Sequence, residues 1–81
     1  MNAQTVAGDD TLIDARGLMC PEPVVLARRA LLTLPAGACI SVLVTDPLAP
    51  LDLQVLCTRT GARFLSDEAE TGEVRRVRIA R

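Results

Sequence analysis

Apolar positions recur along the chain with two different periods, and the switches between them mark six segments. Residues 12–15 make a short strand stretch that ends in Arg16-Gly17, a turn pair. From residue 24 to residue 34, Val24, Ala27, Ala30, Leu31 and Leu34 fall at three- and four-residue steps, one stripe of an amphipathic helix that Pro35-Ala36-Gly37 stops. Val25, Arg28, Arg29 and Leu32 lie on the opposite side, a mixed aliphatic and cationic face suited to docking. Residues 39–45 alternate Ile40, Val42 and Val44 against Cys39, Ser41, Leu43 and Thr45, the period of a strand with one face in the core. After the Asp46-Pro47 turn, Pro50 cannot sit deep in a helix, so a second helix is predicted to begin near it. That helix runs to about Thr60, with Leu53, Leu56, Cys57 and Thr60 inward and Gly61 at its end. Residues 64–69 and 74–80 flank the Thr71-Gly72 turn, and Val77 and Ile79 alternate with Arg76 and Arg78 as in an antiparallel hairpin.

The order β-α-β-α-β-β contains a parallel β-α-β unit, whose crossover is expected to be right-handed. Two helices on one face of a four-stranded mixed sheet bury both helical stripes at once, so the expected fold class is an α/β (α+β) two-layer sandwich. Residues 11–81 are expected to form one domain behind a polar, acidic tail, residues 1–10, which is expected to be disordered. Eighty-one residues leave room for one core and one site.

Composition narrows the chemistry mainly by omission. The chain has no His, Trp or Tyr and a single Phe, which removes imidazole catalysis, His-based metal sites and base-stacking platforms. Nine cations, all Arg, against ten carboxylates give a net charge of −1, so direct nucleic-acid binding is not expected. The uncharged stretch over residues 30–45 is too short to span a bilayer and is broken by Pro35 and Gly37, so no membrane association is expected. Cys20, Cys39 and Cys57 are odd in number, widely spaced and without a CxxC pair, which argues against a disulfide framework and against zinc. Reduced thiols, no metal, no cofactor and a cytoplasmic location follow as expectations.

Chemistry concentrates at Cys20-Pro21-Glu22-Pro23. Cys20 before a proline fits the cap of the first helix, and Pro21 and Pro23 in the first turn stiffen the support. A free thiol has a pKa of about 8.5, and a helix N-terminus favours the anion by about 0.3–1 kcal/mol. The expectation is therefore a Cys20 thiolate favoured by the helix and by Arg16, with Glu22 opposing. Without a His or a second nearby cysteine, such a thiolate suits group carriage better than turnover. The competing reading is a small apolar residue that happens to precede a proline. Cys57 shares a stripe with Leu53 and Leu56 and reads as structural, and Cys39 lies on the strand face opposite the core and reads as a bystander. Arg75, Arg76, Arg78 and Arg81 follow Asp67, Glu68, Glu70 and Glu73 across the hairpin, so cross-strand charge pairing is expected there.

The run Asp14-Ala15-Arg16-Gly17-Leu18-Met19-Cys20-Pro21-Glu22-Pro23-Val24 resembles the signature of the TusA/SirA family of small sulfur carriers, whose hallmark is CPxP. The resemblance continues through Leu34, Gly37, Asp46-Pro47, Asp52-Leu53, Cys57-Thr58, Gly61 and Ile79-Ala80-Arg81. It implies the same β-α-β-α-β-β sandwich, and it implies that Cys20 takes sulfane sulfur as a persulfide, with Gly17, Pro21, Glu22 and Pro23 supporting the motif. The implied partners are a cysteine desulfurase or rhodanese-like donor and a downstream acceptor protein, in tRNA thiolation, molybdenum-cofactor synthesis or sulfur oxidation. It implies a sulfurtransferase-type persulfide carrier rather than a multi-turnover catalyst. Arg28 and Arg29 fall where family members often carry basic residues near partner contacts, and Arg16, Val25 and Leu32 join them as docking candidates. Leu51 and Leu56 depart from the usual basic and aromatic residues of the family, so partner choice is expected to differ. Two rival readings remain at this point, a redox-sensing thiol protein using Cys20 and a non-enzymatic protein- or RNA-binding module.

Overall fold

A computed structural model describes residues 10–81 of the chain. The elements in order are β1 (Asp10–Ala15), α1 (Glu22–Thr33), β2 (Cys39–Val44), α2 (Ala49–Thr60), β3 (Arg63–Ala69) and β4 (Arg75–Ala80). The strands make one sheet in the order β1-β2-β4-β3. β1 runs parallel to β2, while β4 is antiparallel to both β2 and β3. This is the expected two-layer mixed-sheet sandwich. Of the expected tail, Asp10 opens β1 and residues 1–9 lie outside the described residues.

The strand alternation is borne out in the core. Ile40, Val42, Val44, Val77 and Ile79 are buried on the helix-facing side, where they meet Ala27 and Leu31 of α1 and Leu53, Leu56 and Cys57 of α2. Each fully buried Ile, Leu or Val contributes about 1.5–3 kcal/mol, so this central column carries the sandwich. Thr60 was expected in that inner face and is instead exposed, with its hydroxyl turned back to the Leu56 carbonyl at 2.9 Å. Cys39, on the opposite face of β2, is half-exposed as expected.

Gly61 ends α2 with φ +81°, the left-handed conformation that spares only glycine a steric cost, and its N–H bonds the Cys57 carbonyl at 2.9 Å. The hairpin charges pair across β3 and β4, with Arg75 to Asp67 at 2.6 Å and Arg76 to Glu70 at 2.7 Å. Arg81 departs from that expectation: its guanidinium donates to the Leu31 and Leu34 carbonyls and so closes the C-terminal end of α1. No described helix is long and apolar enough to cross a membrane.

Because β1 and β2 are parallel and each feeds a helix, the chain leaves both strands at one edge of the sheet and starts both helices there. In open α/β sheets ligands are met outside the carboxyl ends of the strands, which is this edge.

Candidate functional site

The β1–α1 loop is held to this edge by side chains of the neighbouring β2–α2 corner. Gly17, at φ +81°, donates its N–H to Thr45 Oγ1 at 2.9 Å. Cys20 donates its N–H to Asp46 Oδ2 at 2.8 Å, and the other oxygen of Asp46 accepts the Leu48 N–H at 3.0 Å. Asp46, buried and receiving both bonds, is thereby kept below the ordinary carboxylate range, first by Leu48 and then by Cys20. Two successive residues of one corner therefore strap both ends of the loop that carries the cysteine.

Cys20 itself is exposed, the only one of the three cysteines that is. It stands one residue ahead of the helix cap and not at the cap as expected: Pro21 is the cap residue, and α1 begins at Glu22. The reason is local. The Glu22 N–H bonds the Met19 carbonyl at 2.9 Å, which makes residues 19–22 a turn of their own before the helix, and the Cys20–Pro21 peptide within that turn is cis. Pro23, in the first turn of α1, is fully buried, while Glu22 beside it is exposed.

The electrostatic expectation at Cys20 is reversed by the fold. The Asp52 carboxylate, which lines the same groove as Cys20, is the first cause that raises the thiol above the ordinary value; desolvation and the charges of Asp52 and Asp46 push the same way. Arg16, expected to favour the thiolate, is turned to Asp14, donating from Nη2 at 2.7 Å and from Nε at 2.8 Å. That pair holds Asp14 down at about 2 and raises Arg16. The helix end is thus answered by two carboxylates delivered from the second helix and its preceding corner.

From Cys20 a groove of about 390 Å³ runs between the helices. Pro21, Val24 and Arg28 of α1 face Asp52, Val55, Leu56 and Arg59 of α2 across it. Of the docking candidates on α1, Arg28 belongs to this groove. Val25 and Arg29 are exposed outside its lining, and Leu32 lines an adjoining depression of about 290 Å³ that has no thiol or carboxylate in its wall. Arg16 joins neither. The residues missed from sequence are Asp46, Asp52, Val55 and Arg59. Their signal was the parallel β-α-β order, which brings the starts of both helices together.

Cys57 is buried among Leu53, Leu56 and the sheet, and burial raises its thiol. It is a packing residue, as expected. Among the described residues no group of His, Cys, Asp or Glu is placed to hold a metal ion.

The family described as Sulfurtransferase TusA matches residues 11–81. The sulfur carrier protein TusA of Pseudomonas syringae pv. syringae is 38% identical over 63 residues, which cover 78% of this chain and 75% of that protein. Its counterpart from Pseudomonas savastanoi pv. phaseolicola is 36% identical over the same shares. Among solved structures, a SirA-like protein from Desulfitobacterium hafniense superposes with a TM-score of 0.79 at 32% identity, over 86% of this chain and 95% of the other.

Proposed function

The chain belongs to the TusA family of sulfur carriers, and from that premise we propose that Cys20 receives sulfane sulfur as a persulfide and hands it to a downstream acceptor protein. The observation that carries the reading is exposure: one thiol of three stands open, at the head of a groove, on a loop pinned by Thr45 and Asp46. A donor's outer sulfur is attacked by the Cys20 thiolate, the donor's S–S bond breaks, and the donor leaves as a thiolate. In the second half the Cys20 persulfide yields its outer sulfur to the acceptor's thiolate, and Cys20 leaves in its turn. Sulfur moves at a constant oxidation level, so neither half needs an oxidant or a bound cofactor.

The donor in this reading is a cysteine desulfurase or a rhodanese-like protein. The acceptor belongs to tRNA thiolation, molybdenum-cofactor synthesis or sulfur oxidation, in a cytoplasm where the three thiols stay reduced. A pinned loop lowers the ordering cost when successive partners grip the same atom, which favours weak, exchangeable complexes. Arg28 and the apolar walls at Val24 and Val55 supply the nearest docking contacts. The redox-sensor reading is weakened because Cys57 is buried and Cys39 opens β2 at the far end of the sheet, so neither stands ready to resolve an oxidised Cys20. The RNA-binding reading is weakened too, since the groove head is acidic.

The test is intact-mass spectrometry after incubation with a cysteine desulfurase and cysteine. A reducible one-sulfur adduct is expected on the wild type and none on Cys20→Ser. Absence of an adduct with any sulfane donor, together with clean sulfenic-acid formation by peroxide, would move the assignment to the redox sensor.

A further inference from the structure

Arg16, Arg75 and Arg76 are paired with carboxylates, and Arg81 is engaged by backbone carbonyls. Arg28 and Arg59 are different. Both are exposed, neither makes an ion pair among the described residues, and they stand on opposite walls of the groove that opens from Cys20. Arg29 and Arg63 are exposed and unpaired as well, but they line neither of the two hollows. Charge is therefore ordered along the groove. Its head carries the Asp52 carboxylate, its walls are apolar at Val24, Val55 and Leu56, and the guanidiniums come last. They lie about 9 Å along α1 from Glu22 and about 10 Å along α2 from Asp52. A nucleic acid laid in this groove would press phosphates on the acidic head as well as on the arginines. A peptide with a single carboxylate at the far end meets only the favourable charge.

We propose that the groove seats an extended segment of the sulfur-exchange partner, its reactive sulfur at Cys20, its aliphatic stretch between the apolar walls, and an Asp or Glu side chain about three residues from that sulfur held between Arg28 and Arg59. Naming the occupant as donor or acceptor rests on the persulfide reading, whereas the peptide chemistry does not. Three residues of polyproline II cover about 9 Å and return the side chain to the same side of the chain, which matches the separation of the arginines from the groove head. A carboxylate there accepts charge-assisted hydrogen bonds from two guanidiniums that have no carboxylate of their own. The arginines thus select among partners by the charge near the partner's thiol.

The experiment uses acetylated, amidated peptides Cys-Ala-Leu-Glu, Cys-Ala-Leu-Gln and Cys-Ala-Leu-Lys, and the same set in reverse order, each as its thionitrobenzoate disulfide. The Cys20 thiolate attacks the peptide sulfur, the S–S bond to thionitrobenzoate breaks, and its electron pair leaves on that thiolate, whose absorbance gives the rate. The rate of Cys20→Ser is subtracted. In at least one order the Glu peptide is expected to react several-fold faster than the Gln peptide and the Lys peptide more slowly, with the differences shrinking in high salt. Arg28→Gln and Arg59→Gln are each expected to lower the Glu-to-Gln ratio, and Arg59→Glu to bring it below one. Arg63→Gln, away from the groove, is expected to keep it. Equal rates for the Glu and Gln peptides in both orders overturn the proposal, as does a ratio that survives in the folded Arg28→Gln, Arg59→Gln double variant. Stronger inhibition of the Glu peptide by a short RNA than by acetylated, amidated Ala-Leu-Glu also overturns it, since the arginines would then serve phosphate. If the ratio behaves as expected while Cys20 accepts sulfur from no sulfane donor, the persulfide reading fails and the peptide groove stands.

Discussion

Cys20 and Cys57 carry the same group in opposite settings, and both thiols are raised for unlike reasons. At Cys20 the first cause is the Asp52 carboxylate that shares its groove, beside an exposed loop. At Cys57 it is desolvation within the packed layer between α2 and the sheet. The first cause resides in one surface side chain and is removable without disturbing the core. The second is removable only by opening the fold. An identical direction of shift therefore marks an addressable reaction centre in one case and inert packing in the other.

The largest expected effect breaks the pair outright. Cys20→Ser abolishes the one-sulfur adduct, whereas Cys57→Ala retains it in the folded fraction; loss of loading in a folded Cys57→Ala variant would place a working thiol where packing alone is expected. Next in size is the core beneath Cys57. Leu53, fully buried, is expected to cost about 2–5 kcal/mol on truncation to Ala, read by urea unfolding. The surviving folded protein is expected to keep Cys20 reactive to iodoacetamide. A smaller effect separates the thiols by alkaline pH. Cys57 is raised in the fold above the ordinary thiol value, so its contribution to stability is complete below that value and is lost as pH climbs toward the folded one. Melting temperature is expected to fall over that range, less steeply in Cys57→Ala.

Acid sharpens the other side. Asp46 is depressed below 3.8 by the bonds that hold the Cys20 loop, so its contribution is complete above that pH and is lost as pH falls through the folded value. Asp46→Asn is expected to flatten the acid limb of the melting curve and to loosen residues 17–20, read by amide hydrogen exchange. The smallest effect belongs to the exposed Asp14–Arg16 pair. Its carboxyl is expected to titrate near 2 by NMR, with little change in melting temperature, because solvent screens an exposed ion pair.

Much of the fold was legible along the chain because its cues are local. Period-two alternation at Ile40, Val42 and Val44 and three- and four-residue steps at Ala27 and Leu31 named which faces turn inward. Gly61 and the prolines at 21, 23, 35 and 50 punctuated the helices. CPxP singled out Cys20, and its exposure agreed. Thr60 broke the pattern because a hydroxyl at the end of a helix finds its partner in the preceding turn.

The chain by itself determined the elements, the inward faces, the family and the cysteine at the head of the first helix, since each depends on residues close together in sequence. Only the tertiary structure decided the charge that this cysteine meets. Asp46 and Asp52 lie 26 and 32 positions beyond Cys20, and they reach it because parallel β1 and β2 release their helices at the same sheet edge. A helix dipole is a property of one segment, whereas the field at a sulfur atom sums over every element packed around it.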